Sequence, residues 1–183
     1  MENTSFLTMT NTTELLFTVD ESNNPLDPKP RKEVHTNGYW HRTTQIVILN
    51  KKKQILCQRR SVTKDVNPGK WEYFFGGHVL AEQSYEDNAG EELKEELGIT
   101  ALPKDFHLIK IYKITVGKEF RGAFSFAWNG SIDSLTLQED EVDQVKWVNI
   151  SELQKLLIKD KVYEWNTTEY DSELMQKLEE VGA

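Results

Sequence analysis

The chain has 183 residues, a formal net charge of −8, 38% hydrophobic and 28% charged residues. That length suits one domain with a sizeable core, and the balance of apolar and charged residues favours a folded globular chain over a disordered one. An acidic chain is also a poor generic nucleic-acid binder, because phosphate neutralisation needs Lys and Arg.

The first 13 residues are polar and read as a flexible N-terminal segment, with no basic start and no apolar run of signal-peptide length. No stretch approaches the ~20 apolar residues of a membrane span. The sole cysteine, Cys57, excludes an intrachain disulfide and fits a cytoplasmic location. It lies in an apolar run and reads as a small buried hydrophobe. Without a secretory signal, Asn-x-Thr triplets such as Asn11–Thr13 and Asn166–Thr168 are chance matches.

In chain order, a strand is expected at 14–19, a turn at 20–25 and a short helix at 29–34 with Pro30 near its start. Strands follow at 43–50 and 54–60, joined by the solvated Lys51–Lys53. A loop at 62–70 carries the turn signal Pro68-Gly69, and Trp71–Phe75 is a strand running into Gly76-Gly77. Then comes the strongest helix signal. Ser84 with Asp87 begins a capping box, Ala89, Leu93 and Leu97 form one apolar stripe, and Gly98 is placed to end the helix. Gly90 within it costs ~1 kcal/mol relative to Ala. Strands are expected at about 106–115, 121–129 and 142–149, a helix from Ser151, and an amphipathic helix over about 168–181. The mixed order of strands and helices predicts a single α/β or α+β domain over 14–183, with a helical C-terminal extension.

Charge is concentrated on the central helix. Between Glu82 and Glu96 lie seven acids and one base, Lys94, which leaves about −2 for the rest of the chain. Glu92, Glu95 and Glu96 are i, i+3, i+4 neighbours within an arc of roughly 100° beside the apolar stripe. Like charges at that spacing weaken a helix by a few tenths of a kcal/mol per pair, and by more where screening is poor. A divalent cation turns that repulsion into coordination. Carboxylate oxygens on one helix face suit Mg²⁺ or Mn²⁺, with water and substrate phosphate completing the shell. A solvated acidic face is the plainer alternative. A Gly-Gly turn before the helix N-terminus is a natural phosphate site.

Residues Gly77–Ile99 resemble the signature of the Nudix hydrolases: Gly, five residues, Glu, seven residues, then Arg-Glu-apolar-x-Glu-Glu-x-Gly-apolar. The chain matches at Gly77, Glu92, Leu93, Glu95, Glu96, Gly98 and Ile99, in register and without a gap. It departs at Gln83, where the first Glu belongs, and at Glu91, where the Arg belongs. The resemblance implies a Nudix α/β/α sandwich with a mixed sheet over about residues 14–165. It also implies Mg²⁺-dependent attack of water on a diphosphate linkage. Residues 41–50, 58–61, 68–71, 76–79 and 137–148 further resemble the Nudix branch related to isopentenyl-diphosphate isomerases. In those isomerases histidines and glutamates hold a metal. His35, His41 and His78 fall at or within one residue of their positions, and Glu119 is a looser match. The isomerase's catalytic cysteine belongs near Phe75 and is absent, which argues against isomerisation.

The resemblance assigns roles residue by residue. Glu92 and Glu96 are the expected direct metal ligands, with Glu95 sharing the site or acting on the water. The signature Arg orients the following Glu, a task an ionised Glu91 does not perform, and Gln83 removes one candidate ligand or base. The base then comes from another loop, with Glu139, Asp140 and Glu141 as candidates. Arg60 and Lys64 match diphosphate-binding positions, Lys70 lies near the same loop, and Gly76 and Gly77 form the backbone turn at the substrate. His107 has no matching position, and Tyr39, Trp40 and Trp71 read as core aromatics. Three readings stay open: a diphosphate hydrolase acting on a nucleoside diphosphate derivative or related small molecule, a Nudix-fold binder that does not cleave, and an isomerase-like protein. A small-molecule diphosphate partner is expected, with no nucleic acid or membrane, and a homodimer is possible in this family.

Overall fold

Strands that carry apolar side chains on both faces need both faces covered, and here helices cover both. The computed structural model describes residues 14–64, 66–159 and 168–181. The N-terminal segment expected to be flexible, and the Asn11–Thr13 triplet, lie outside them. In chain order the elements are β1 (Leu15–Leu16), β2 (Lys29–Pro30), α1 (Arg31–Asn37), β3 (His41–Leu49), β4 (Gln54–Arg60), β5 (Trp71–Glu72), α2 (Tyr85–Leu97), β6 (Phe106–Ile114), β7 (Glu119–Ala127), β8 (Val142–Asn149), α3 (Ile150–Lys159) and α4 (Asp171–Val181). β3 pairs with β7 in parallel, from His41 opposite Glu119 to Leu49 opposite Ala127. β6 runs antiparallel to β7, and β8 antiparallel to β4. The sheet is therefore mixed.

Strand β3 shows how the sheet is shared. Ile46 and Ile48 join a core with Ala89, Leu93 and Leu97 of α2, plus Phe75, Phe106 and Phe124. Val47 faces the other way, into a core with Ile55, Cys57 and Tyr73 of the sheet, Leu153 of α3, and Leu174, Met175 and Leu178 of α4. The period-2 alternation of one strand thus feeds two helical layers, which is the α/β/α sandwich. Cys57 is fully buried in this second core, and burial pushes its thiol pKa well up.

The two edges that should meet between β3 and β4 splay apart, pairing only at Leu49 and Ile55. The chain from Trp71 to His78 fills the gap. On one side Gln58 pairs with Glu72 and Arg59 with Trp71; on the other Ile46 bridges Phe75 and Thr43 bridges His78. The expected strand at 71–75 is therefore two residues of strand followed by a wedge that hydrogen-bonds to β3. The expected helix at 29–34 begins one residue after Pro30, which serves as its N-cap, and runs on to Asn37 before Gly38 closes it at φ 68°. The expected strand at 14–19 shrinks to β1, continued by isolated bridges from Thr18 and Val19.

Helix α4 is tied to the sheet by polar groups as well as by its apolar face. Tyr73 donates to Asp171 Oδ1 at 2.5 Å, and Tyr170 donates to Gln45 Oε1 at 2.6 Å while accepting from Arg121 at 3.0 Å. The fully buried Leu174 anchors the helix. Leu174→Ala should cost about 2–5 kcal/mol, the usual range for a buried leucine. Urea unfolding checks this; a loss below about 1 kcal/mol would show that α4 lies outside the cooperative unit.

Candidate metal and catalytic site

Helix α2 starts where the capping box predicts. The Asp87 backbone N–H donates to Ser84 Oγ at 3.0 Å, and the Ser84 N–H returns a bond to Asp87 Oδ2 at 3.3 Å. Ala89, Leu93 and Leu97 have no exposed surface, and Gly98 ends the helix in the left-handed region at φ 71°. Burying this stripe fixes the helix rotation, and that rotation decides where each glutamate goes. Glu96 is carried inward to 6% exposure, Glu92 is half-buried, and Glu95 stays exposed.

The glycine wedge packs directly on these carboxylates. At Gly76 the backbone takes φ 127°, and a Cβ there would lie 2.5 Å from the Thr44 carbonyl oxygen, so only glycine fits. A Cβ at Gly77 would collide with the Glu92 carboxylate. Both glycines therefore allow the backbone to approach the acids. The Gly76 backbone opposes the rise in the Glu96 carboxyl pKa, yet Glu96 Oε2 is buried without a hydrogen-bond partner among the described residues.

Two further acids converge on the pair. Glu72, at 3% exposure on β5, and Glu141, in the turn just before β8, both act on Glu96. Burial, then Glu92, Glu141 and Glu72, push the Glu96 carboxyl well above its ordinary range. Burial first, then Glu95, push Glu92 up to about 7; Glu141 and Glu14 add to this and the Asn88 side chain opposes it. The nearest cations are committed to the outer acids. Arg60 lies 3.3 Å from Glu72 and also donates to the Val66 carbonyl at 2.9 Å, and Lys64 pairs with Glu141. Glu139 and Asp140 are exposed, so of the loop acids expected near the site, Glu141 alone is seen acting on Glu92 and Glu96.

The departures at Gln83 and Glu91 face each other. Gln83 Nε2 donates to Glu91 Oε2 at 2.5 Å on the solvent side of the helix. His35, His41 and His78 also come together. One ligand atom of each lies within 4.8 Å of the others, and His35 Nε2 is 3.1 Å from His78 Nε2. His41 Nδ1 lies 3.0 Å from the Tyr39 carbonyl, which accepts only, so Nδ1 carries the proton. Its Nε2 lone pair is then buried and unpartnered among the described residues. Burial pushes His78 down to about 3 and lowers His41, so both rings are neutral and able to ligate. Glu119 accepts from Thr43 at 3.0 Å and pairs with Arg121 at 2.5 Å, so it stands at the edge of the cluster already engaged. His107 is exposed on β6, and Trp40 packs with Val19 and Phe120.

The donor set fits a hard divalent cation. Buried carboxylate oxygens, one of them unpartnered, lie against a glycine turn, and lone pairs without donors are what a metal satisfies. The sequence alone did not single out Glu72, Asn88 or Arg121. Glu72 had one available signal: it is a lone acid inside an aromatic strand, where an unpaired carboxylate is costly.

Comparison with known proteins bears on the family and the fold. A sequence model described as the NUDIX domain matches residues 39–167. The chain is 37% identical over 153 residues to an uncharacterized Nudix hydrolase of Clostridium acetobutylicum, covering 79% of this chain and 74% of that one. It is 33% identical over 141 residues to the uncharacterized Nudix hydrolase YfcD of Escherichia coli K12, covering 77% of each. Among solved structures, a Deinococcus radiodurans protein superposes with a TM-score of 0.71 at 16% identity, covering 90% of this chain and 99% of that one. The Nudix domain of Shewanella oneidensis NrtR, solved with ADP-ribose, superposes with a TM-score of 0.58 at 13% identity, covering 85% and 100%. At such identities the structural likeness speaks for the fold alone.

The raised Glu92 carboxyl makes a pH prediction. Its ordinary value is 4.5 and its folded value about 7. The stability it allows is fully present below 4.5 and is lost as pH rises through 7, by about 3 kcal/mol in all. In EDTA, Glu92→Gln should therefore gain on the native chain as pH goes from 5 to 8. Urea unfolding of both proteins at each pH measures this, and an equal offset at the two pH values would contradict it.

Proposed function

This chain belongs to the Nudix hydrolase family, and on that premise we propose that it hydrolyses the diphosphate linkage of a nucleoside diphosphate derivative or a related small diphosphate. The observation that carries this reading is Glu96: buried, with one oxygen unpartnered among the described residues, and its carboxyl pushed up by burial and by the charges of Glu92, Glu141 and Glu72. Glu92 and Glu96 are the residues that would hold Mg²⁺ or Mn²⁺, with Glu95 at the exposed edge of the same face. Bound there, the metal supplies Lewis-acid polarisation of a phosphoryl oxygen.

The protein's own groups perform the rest. Arg60 and Lys64 flank the acids and offer phosphate a bidentate fork and a point charge. The Gly76-Gly77 turn lets backbone reach the substrate with no side chain in the way. For the proton of the attacking water, Glu141 is better placed than Glu139, because Glu141 acts on both Glu92 and Glu96 while Glu139 is exposed. Glu95, one helical turn from Glu92, is the alternative base.

The convergence of His35, His41 and His78 supports placing the chain in the isomerase-like branch and gives it a second candidate metal centre, with Glu119 beside it. Neutral imidazoles fixed through a backbone carbonyl are suitable ligands. Isomerisation itself has no support. Trp71–His78 contains no cysteine, and Cys57 is buried with a thiol that resists ionisation.

Phosphate release from a panel of nucleoside and isoprenoid diphosphates, coupled to pyrophosphatase and read with malachite green in Mg²⁺ or Mn²⁺, tests the proposal. At least one substrate should be cleaved. Glu96→Gln should lose more than about 100-fold, the upper end of what losing a group behind a metal ligand costs. Calorimetric binding without cleavage would replace hydrolysis by simple recognition, and no product with any substrate in either metal would contradict the proposal.

A further inference from the structure

The two departures from the family pattern are joined to a third residue, Asn88. Its side chain is 2% exposed one helical turn before Glu92. Asn88 Oδ1 accepts from Thr44 Oγ1 at 2.6 Å, and Asn88 Nδ2 donates to the His78 carbonyl at 3.0 Å and to Gln83 Oε1 at 3.3 Å. Thr44 Oγ1 in turn accepts from the Gly77 N–H at 3.3 Å. Gln83 Oε1 also accepts from the Leu80 N–H at 2.9 Å, while its Nε2 donates to Glu91. Every polar atom of the Asn88 and Gln83 side chains has a partner. The chain of bonds runs from β3 through the glycine turn to α2, on both sides of the point where Gly77 touches Glu92.

We propose that Asn88, Gln83 and Glu91 are positioning residues that clamp the turn 76–80 onto α2 and so hold Glu92 and Glu96 in metal-binding register, with Gln83 and Glu91 acting as a matched donor–acceptor pair. The pair answers the substitution pattern. Where the family places an acid and a base, this chain places an amide donor and an acid acceptor, and the two are joined by one hydrogen bond. Restoring the family glutamate at position 83 alone would set two carboxylates 2.5 Å apart, where they repel and open the clamp. Glu91, held outward by Gln83, is kept from adding its charge to the site.

The inference rests on the metal reading above, and the test separates the two. Mn²⁺ binding to the whole protein is measured by the electron paramagnetic resonance signal of free Mn²⁺, with thermal unfolding in parallel. Asn88→Ala should weaken Mn²⁺ about 10–100-fold, the range for groups behind metal ligands. Because that site is buried, the surface pair provides a second arm. Gln83→Glu should weaken Mn²⁺ several-fold although its added negative charge alone would tighten it. The exchange Gln83→Glu with Glu91→Gln, which has the native net charge and restores an amide–carboxylate bond, should return to within about twofold of the native chain. A Gln83→Glu protein that binds Mn²⁺ as tightly as the native one, an exchange that fails to restore affinity, or shifts confined to unfolding temperature would each overturn the clamp. A native chain that binds no Mn²⁺ would overturn the metal reading first, and the clamp with it.

Discussion

The structure depends on burying the carboxyl group of Glu96 beside other acids. An ion of that size loses several kcal/mol of hydration on burial, and one without a buried countercharge has little to offset it. Leu93 and Leu97, each worth about 1.5–3 kcal/mol when buried, fix the helix face. Once the stripe is inside, Glu96 follows by geometry, because it is the next residue before Leu97 and three after Leu93. The fold thus uses apolar burial to force acids into a place they would otherwise avoid. Their raised carboxyl pKa values record that conflict.

Everything around the acids serves that arrangement. The sheet opens between β3 and β4 so that Trp71–His78 can enter, bringing Glu72 and two glycines against α2. Glycine is required at 76, where positive φ brings the backbone against the Thr44 carbonyl, and glycine at 77 leaves room for the Glu92 carboxylate as it stands. Arg60 and Lys64 neutralise the outer acids and not the inner pair. A site so divided is what the proposed chemistry asks for, with cations at the rim and unneutralised carboxyl groups at the centre.

Much of this was legible in the sequence where the signal is local. The capping box, the apolar stripe and the terminal glycine of α2 are set by spacings of three and four residues, and the acids inherit their faces from that rotation. The two-layer helical covering was implied only by the family resemblance; its cause is seen in β3, where Val47 and the pair Ile46 and Ile48 face opposite cores. What was not legible depends on partners far apart in the chain. Glu72 meets Glu96 only because the sheet splays, and Asn88 earns its place through Thr44 and His78, which lie on other elements. Gln83 and Glu91 looked like two separate losses from a pattern; their mutual hydrogen bond exists only once the turn folds back on the helix. The choice between Glu139 and Glu141 likewise turned on the turn before β8, where Glu141 is half-buried and Glu139 exposed, a difference that local propensity does not fix.

The central claim is that Glu92 and Glu96 form a divalent-metal centre. Crystals soaked in Mn²⁺ and measured for anomalous scattering test it most directly. The account predicts a peak within coordination distance of both carboxylates, beside the Gly76-Gly77 turn, that disappears in Glu96→Gln crystals. A map with no peak there, or with a single peak at His35, His41 and His78, would contradict it.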